Sequence, residues 1–288
     1  MEPIIRPARP DDLDQVAVWT RDTFAWGDYI AERWDDWVAS EDGHLVVAEV
    51  DGTVAGLAYV AMVSSREAWS QGMRVHPEFR RQGLGTLIGE ALWPWAAERG
   101  AAVVRLAVED WNTAAQGQVQ GMGFRPVSTW LYAERGVGEN SPVPEGNGGR
   151  RVPAEESLRP ANAAEAEPAY LSWTSGDLAR ASRGLFPQGW TWMRLTAEHL
   201  AAAARERTLW AGRPGWALAD LDDTQLRVHW LETVESDARA MVRALVDRAA
   251  GAGSERLTAM IPAVDWLRQA FERSAFEMSP LRVWAKEL

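Results

Sequence analysis

The sequence predicts an α/β chain (α+β in detail) built from two tandem copies of one domain, each a mixed, mostly antiparallel sheet flanked by helices. Three observations lead there. Two apolar runs, residues 44–50 and 54–63, meet at Asp51-Gly52, a strong hairpin signal because both turn positions tolerate positive φ. Residues 73–86 change from a strand pattern, through a glycine loop, to a helical pattern. Short matches then recur along the chain at a nearly constant offset of 153 residues.

Taken in order, the first copy opens on Ile5-Arg6-Pro7-Ala8, followed by a tryptophan-rich segment that reads as two helices. The hairpin follows, then the strand, loop and helix of 73–99, in which Trp93-Pro94-Trp95 is a packing stripe whose proline kinks the helix or ends its regular part. Residues 103–108 are a β-rich run, Asn112 opens a further helix, and Gly123-Phe124 leads into a last strand. The second copy has a first strand at 157–161, a helix at 196–205, a short strand at 209–211 and a hairpin at 216–220 and 225–230. A helix at 237–250 and a buried strand at 257–261 complete it.

The repeat sets Leu158-Arg159-Pro160-Ala161 under Ile5-Arg6-Pro7-Ala8, and Leu226-Arg227-Val228-His229 under Met73-Arg74-Val75-His76. Helix 87–100 falls on 240–253 and strand 104–108 on 257–261, while Phe124 falls on Phe276 at an offset of 152. Collinearity over this length predicts a duplication. The expected domains are residues 1–136 and 157–288, joined by a linker at 137–156 that holds Pro142, Pro144, Gly146, Gly148, Gly149 and Pro153.

Composition narrows the function. With no cysteine, disulfides and thiolate metal sites are excluded, and a cytoplasmic address is expected. Four scattered histidines give no metal-ligand spacing, so no metal is expected. A net charge of −11 argues against a nucleic-acid partner. No apolar run is long enough to span a bilayer, the N-terminal residues carry no signal-peptide pattern, and no membrane partner is expected. Lys286 is the only lysine beside many arginines, which with the alanine, glycine and proline load suggests a GC-rich bacterial genome. Composition leaves the oligomeric state open.

The segment Arg80-Arg81-Gln82-Gly83-Leu84-Gly85-Thr86 carries the chemistry. Its glycines let backbone N–H groups approach an anion, the helix behind it adds the positive end of its dipole, and Arg80 and Arg81 add charge. The pattern resembles the pyrophosphate loop of the GNAT N-acetyltransferase superfamily, and Asn112, Ala115 and Gly123-Phe124 resemble that family's second half-motif. The resemblance covers about the first 135 residues, and the tandem layout is similar to that of mycothiol synthase. It implies acetyl-CoA as cosubstrate, held by Arg80, Arg81, Gln82, Gly83, Leu84, Gly85, Thr86 and Asn112, with a backbone N–H at Arg74 or Val75 polarising the thioester. It implies transfer of acetyl to a primary amine of a small molecule or peptide. A non-catalytic acyl-CoA-binding or interaction module is the alternative.

The resemblance also exposes gaps. The family's acid is a tyrosine seven residues after the asparagine, and here that position is Val119; the four tyrosines (Tyr29, Tyr59, Tyr132 and Tyr170) are not placed by the sequence. Glu67 and Glu109 are the candidate bases, on the strand before the loop and at the end of the next strand. Trp19, Trp26, Trp34 and Trp37, interleaved with Asp28, Glu32, Asp35 and Asp36, read either as an acceptor site for a cationic amine or as core. In the second copy Thr233-Val234-Glu235-Ser236-Asp237-Ala238 stands where the loop should be, with no glycine, and Ser236 or Asp237 is expected to cap the helix. That copy is expected to be cofactor-free and to serve as scaffold, lid or wall of the acceptor site.

Overall fold

A computed structural model describes residues 2–24, 27–138, 157–222 and 224–288; Trp26 and most of the expected linker lie outside them. The chain divides into two compact units. The first comprises Met1–Ala107, Asn112–Arg125 and Trp284–Leu288, and the second Val108–Trp111 and Pro126–Val283.

The first unit contains β1 (Ile4–Pro7), α1 (Leu13–Thr20), α2 (Ile30–Ala39), β2 (Gly43–Val50), β3 (Thr53–Ser64), β4 (Glu67–Val75), α3 (Leu84–Glu98), α4 (Thr113–Gly121) and all of β5 (Val103–Glu109) except its last two residues. Strands β1 to β4 pair antiparallel in sequence order, and β4 pairs parallel with β5. The turn between β2 and β3 falls on Asp51 (φ +50°) and Gly52 (φ +79°), as the hairpin signal requires. On one face Val16, Ile30, Trp34 and Trp37 of the helices close over Leu45, Val47, Leu57 and Tyr59 of the sheet. Pro94 neither ends nor interrupts α3, which continues to Glu98.

The second unit contains β7 (Arg159–Pro160), α5 (Ala166–Ser175), α6 (Asp177–Ser182), β8 (Leu185–Gln188), β9 (Thr191–Arg194), α7 (Ala197–Arg205), β10 (Leu209–Gly212), β11 (Gly215–Leu221), β12 (Gln225–Glu232), α8 (Ala238–Gly251), β13 (Arg256–Pro262), α9 (Asp265–Glu272), β6 (Arg125–Gly136) from its second residue on, and β14 (Glu277–Glu287) as far as Val283. Its sheet runs β7-β10-β11-β12-β13-β6, antiparallel except between β12 and β13. This is the mixed, mostly antiparallel architecture that the sequence predicts, in both units.

The offset of 153 holds in the structure. The 3₁₀ turn Pro10–Asp12 corresponds to Ala163–Glu165, and β5 at Val103–Glu109 to β13 at Arg256–Pro262. The second unit also carries α6 and the β8–β9 hairpin, which have no equivalent among the described residues of the first and which periodicity does not reveal. The expected cap on α8 is not made: Asp237 precedes the helix, but no side chain bonds its N-terminal N–H groups.

Candidate active site

The site begins with an irregularity in β4. Tyr59 faces Gln71 and Leu57 faces Arg74, so Ala58 opposes both Gly72 and Met73, a β-bulge. Gly72 sits at φ +71°, and a Cβ there would come within 2.7 Å of the Trp37 ring, so glycine is required twice over. The pairing of β4 with β5 stops at Trp69 and Arg105. Beyond that point the outward-facing polar groups of β4 have no strand beside them. His76 N–H donates to Ala55 O on the β3 side, so by alternation the Val75 N–H faces the opened side. The Val75 carbonyl accepts from Arg80 Nε at 3.1 Å, which ties the loop to the strand that precedes it.

The loop itself winds through two left-handed residues, Arg81 at φ +62° and Gly83 at φ +84°. Among the described residues, the N–H groups of 81–85 find no hydrogen-bond acceptor. Gly83 O accepts from Thr86 and Leu87, which starts α3 directly behind them. Alternating backbone handedness followed by a helix N-terminus makes a concave row of donors, the arrangement that holds an anion. Arg80, Arg81, Gln82, Gly83 and Thr86 are exposed, while Leu84 and Gly85 are buried against the sheet.

Asn112 caps α4: its Oδ1 accepts from the Ala115 N–H at 3.1 Å. On the same helix Val119 is 6% exposed, so its side chain is core. Its neighbour Gln118 points the other way. The Gln118 Nε2 lies 3.2 Å from Met73 Sδ, and it occupies the space that a Cβ on residue 85 would need. Gly85 therefore makes room for an amide reaching the opened edge of β4. Sequence patterns alone do not pick out Gln118, Gly72 or the role of Asp28; a glycine inside a strand pattern is the signal that could have found Gly72.

Asp28 holds Arg74 through Nε–Oδ2 at 2.8 Å and Nη2–Oδ1 at 3.2 Å. The guanidinium stacks near the Phe24 and Tyr29 rings, at 5.1 and 5.4 Å from their centroids. Burial pushes the Tyr29 phenol above its ordinary range, against the opposing influence of Arg74. Of the two readings of the tryptophan-rich segment, the contacts favour core for Trp34 and Trp37. Trp34 is fully buried and Trp37 stacks on Tyr59 at 4.7 Å, so both are core. Asp28 is committed to Arg74, while Glu32, Asp35 and Asp36 face solvent. Trp19 is half-buried and packs edge-on against His76 at 5.5 Å.

Glu67 lies at the start of β4, where β5 is still paired, and its carboxylate accepts from Arg105 Nη1 at 2.5 Å in a buried ion pair. Glu109 closes β5, half-buried, beyond the end of that pairing. In the second unit β12 continues to Glu232, and residues 233–237 lead straight into α8 with no left-handed residue. Glu235 and Asp237 stand there with like charge toward any phosphate.

In this α/β protein a bulged strand parts from its neighbour just before a loop with two left-handed residues and a helix N-terminus. Residues 13–124 match the acetyltransferase (GNAT) family. The fold extends over the whole chain. A GCN5-related N-acetyltransferase from Sphaerobacter thermophilus is similar over 99% of this chain and 95% of its own, with a TM-score of 0.64 and 17% identity. One from Kribbella flavida is similar over 100% and 71%, with a TM-score of 0.54 and 15% identity. No curated protein sequence matches the chain significantly. Among the described residues no helix is long and apolar enough to cross a membrane.

Proposed function

We propose that the protein is an acetyl-CoA-dependent N-acetyltransferase whose first unit binds the cofactor and transfers its acetyl group to a primary amine of a small molecule or peptide. The observation that carries this reading is the run of unbonded N–H groups at residues 81–85 beside the opened edge of β4. In this reading Gln82, Gly83, Leu84, Gly85 and Thr86 offer backbone to the pyrophosphate, Arg80 and Arg81 balance its charge, and Asn112 shapes the helix alongside. Arg74 acts through its place on the strand, and the Val75 N–H is the donor to the thioester carbonyl. As charge develops on that oxygen in the tetrahedral intermediate, a fixed donor holds it better than water does. Glu67 serves as a positioning residue, given its commitment to Arg105, and Glu109 stays the candidate base that the sequence alone suggests.

The alternative, an acyl-CoA-binding module without turnover, has one specific observation in its favour: Val119, where a tyrosine would protonate the departing thiolate, is buried. The two readings part in one experiment. Thiol release from acetyl-CoA is followed with polyamines, amino acids, aminoglycosides and peptide N-termini. Release that depends on the amine supports the enzyme; tight CoA binding with no release from any amine would leave the binding module.

A further inference from the structure

The second unit has lost the loop but has gained α6 and the β8–β9 hairpin, and these build a cavity of their own. It measures about 250 Å³ and is lined by Tyr170 and Trp173 of α5, by Arg180 and Arg183 around the end of α6, and by Arg194 at the end of β9. Among the described residues no carboxylate lines it. That is unexpected in a chain with 41 acidic and 30 basic residues. A second cavity of about 610 Å³ shares Arg180 and Arg183, so the two adjoin across this pair. Among the described residues lining the second cavity Asp177 is the carboxylate, and it is engaged by Arg180.

Backbone geometry adds an independent observation. Arg183 terminates α6 in the left-handed region, at φ +59°. Glycine fills such a position without strain, whereas a side chain there costs about 1 kcal/mol. Among the described residues the Arg183 guanidinium makes no hydrogen bond or ion pair that would repay this cost. The Tyr170 hydroxyl is likewise without a partner among them. The cavity therefore presents an unused phenol and a rim of arginines, one of them, Arg183, held in the left-handed region.

We infer that this cavity binds a small organic oxyanion, a phosphate monoester or a carboxylate, with Arg183 on the charged group, Tyr170 donating to it, and the organic part lying beside the Tyr170 ring. Planar guanidinium groups suit both anions, and charge-assisted hydrogen bonds to them are stronger than neutral ones. The site is separate from the loop at residues 81–85, so the inference does not depend on the acetyltransferase reading.

The test is calorimetric titration of the full chain carrying Gly83→Asp, which closes the first unit's loop to anions, with inorganic phosphate, phenyl phosphate and benzoate as probes. Phenyl phosphate or benzoate is expected to bind at one site, at least fivefold tighter than inorganic phosphate; which aryl probe wins separates the two anion sources. Arg183→Gly is expected to weaken that binding at least tenfold while raising Tm, because the strain is relieved as the guanidinium is lost. Asp177→Asn is expected to tighten it, because Arg180 is released from its own counter-ion. Binding unchanged in Arg183→Gly, or no binding of any probe to the parent or to the Asp177→Asn chain, overturns the inference.

Discussion

Asp28 and Arg74 form a bidentate ion pair in which the carboxylate side chain is 1% exposed and the guanidinium 16%. Through it the segment entering α2 is fastened to the bulged part of β4, next to Gly72. Removing one partner from such a pair strands the other without solvent. Asp28→Ala is therefore expected to cost about 3 kcal/mol of stability in urea unfolding. Asp28→Ala combined with Arg74→Met is expected to cost less than Asp28→Ala alone, since no bare charge remains. Equal losses in the single and double variants would show that the pair is not coupled.

The loop offers the most direct probe of cofactor binding. Gly83 is open to solvent, with nothing within 4 Å of the place a Cβ would take, but its φ of +84° disfavours any side chain. Gly83→Asp adds that strain and places a negative charge beside the row of N–H groups. It is expected to weaken CoA binding by at least about 2 kcal/mol by calorimetry. Ser236→Asp, the corresponding change in the second unit, should leave the affinity unchanged, and the stoichiometry should be one CoA per chain. Two equivalent sites would contradict the asymmetry between the units.

Much of this was legible in the sequence, because the signals were local. Asp51-Gly52 favours a hairpin by backbone preference alone, and the loop at 80–86 is a contiguous stretch whose glycines mark it in the sequence. The duplication was legible because Arg6, Arg74 and their counterparts Arg159 and Arg227 kept their order. What was hidden depends on partners distant in sequence. The fate of Trp34 and Trp37 turns on which helix face meets Leu57 and Tyr59, and aromatic–acidic interleaving is equally compatible with a solvent-facing cleft. Gln118 becomes noticeable only when Gly85 and Met73 are seen beside it. The departure of β5 from β4 after Arg105 leaves no mark in composition.

The repeat extends to individual ion pairs. Arg6 donates to both oxygens of Asp12 at 2.7 Å, and Arg159 donates to both oxygens of Glu165 at 2.8 Å, at the same separation along the chain. Their settings differ: the Asp12 side chain is 7% exposed, and that of Arg159 is 60%. The Arg6 guanidinium holds the Asp12 carboxyl below its ordinary range, against the opposing effect of burial. A depressed native pKa contributes stability above the ordinary carboxylate range and loses it as pH falls through the native value. Asp12→Asn is expected to cost about 1–2 kcal/mol at pH 7 and less at pH 3. Glu165→Gln, in the exposed pair, should cost no more than about 1 kcal/mol. Denaturant midpoints at the two pH values check both.

Glu232 gives a dependence of opposite sign. Burial raises its carboxyl above the ordinary range, partly offset by the Ser172 hydroxyl, which donates to Oε1 at 2.9 Å. Its Oε2 has no hydrogen-bond partner among the described residues. Between the ordinary carboxyl value and the raised native one, the native state holds more protons than the unfolded chain, so stability falls as pH rises through that window. Glu232→Gln is expected to raise the urea midpoint at pH 7 and to leave it nearly unchanged at pH 4. A drop at pH 7 would mean that the ionised carboxylate is satisfied in the native protein.

The two compact units do not coincide with the two halves of the sequence, and this determines how the chain can be cut. Trp284–Leu288, the last residues of the second copy, belong to the first unit. There the Lys286 ammonium donates to Met122 O at 2.7 Å, at the end of α4, and the Leu288 N–H donates to Ala102 O at 3.1 Å, just before β5. Both bonds satisfy carbonyls at the ends of elements that shape the proposed site. Trp284 is 4% exposed, so its large apolar surface is lost with them. A fragment ending at residue 156 lacks all of these contacts and exposes apolar surface that the intact unit covers. It is expected to be unfolded or aggregated, by circular dichroism and gel filtration, and to bind no CoA. Deleting residues 284–288 alone is expected to cost about 3 kcal/mol, roughly the burial of one tryptophan and two hydrogen bonds, with CoA affinity falling in step with the folded fraction. A folded 1–156 fragment with undiminished CoA affinity would show that the C-terminal residues are dispensable to the first unit.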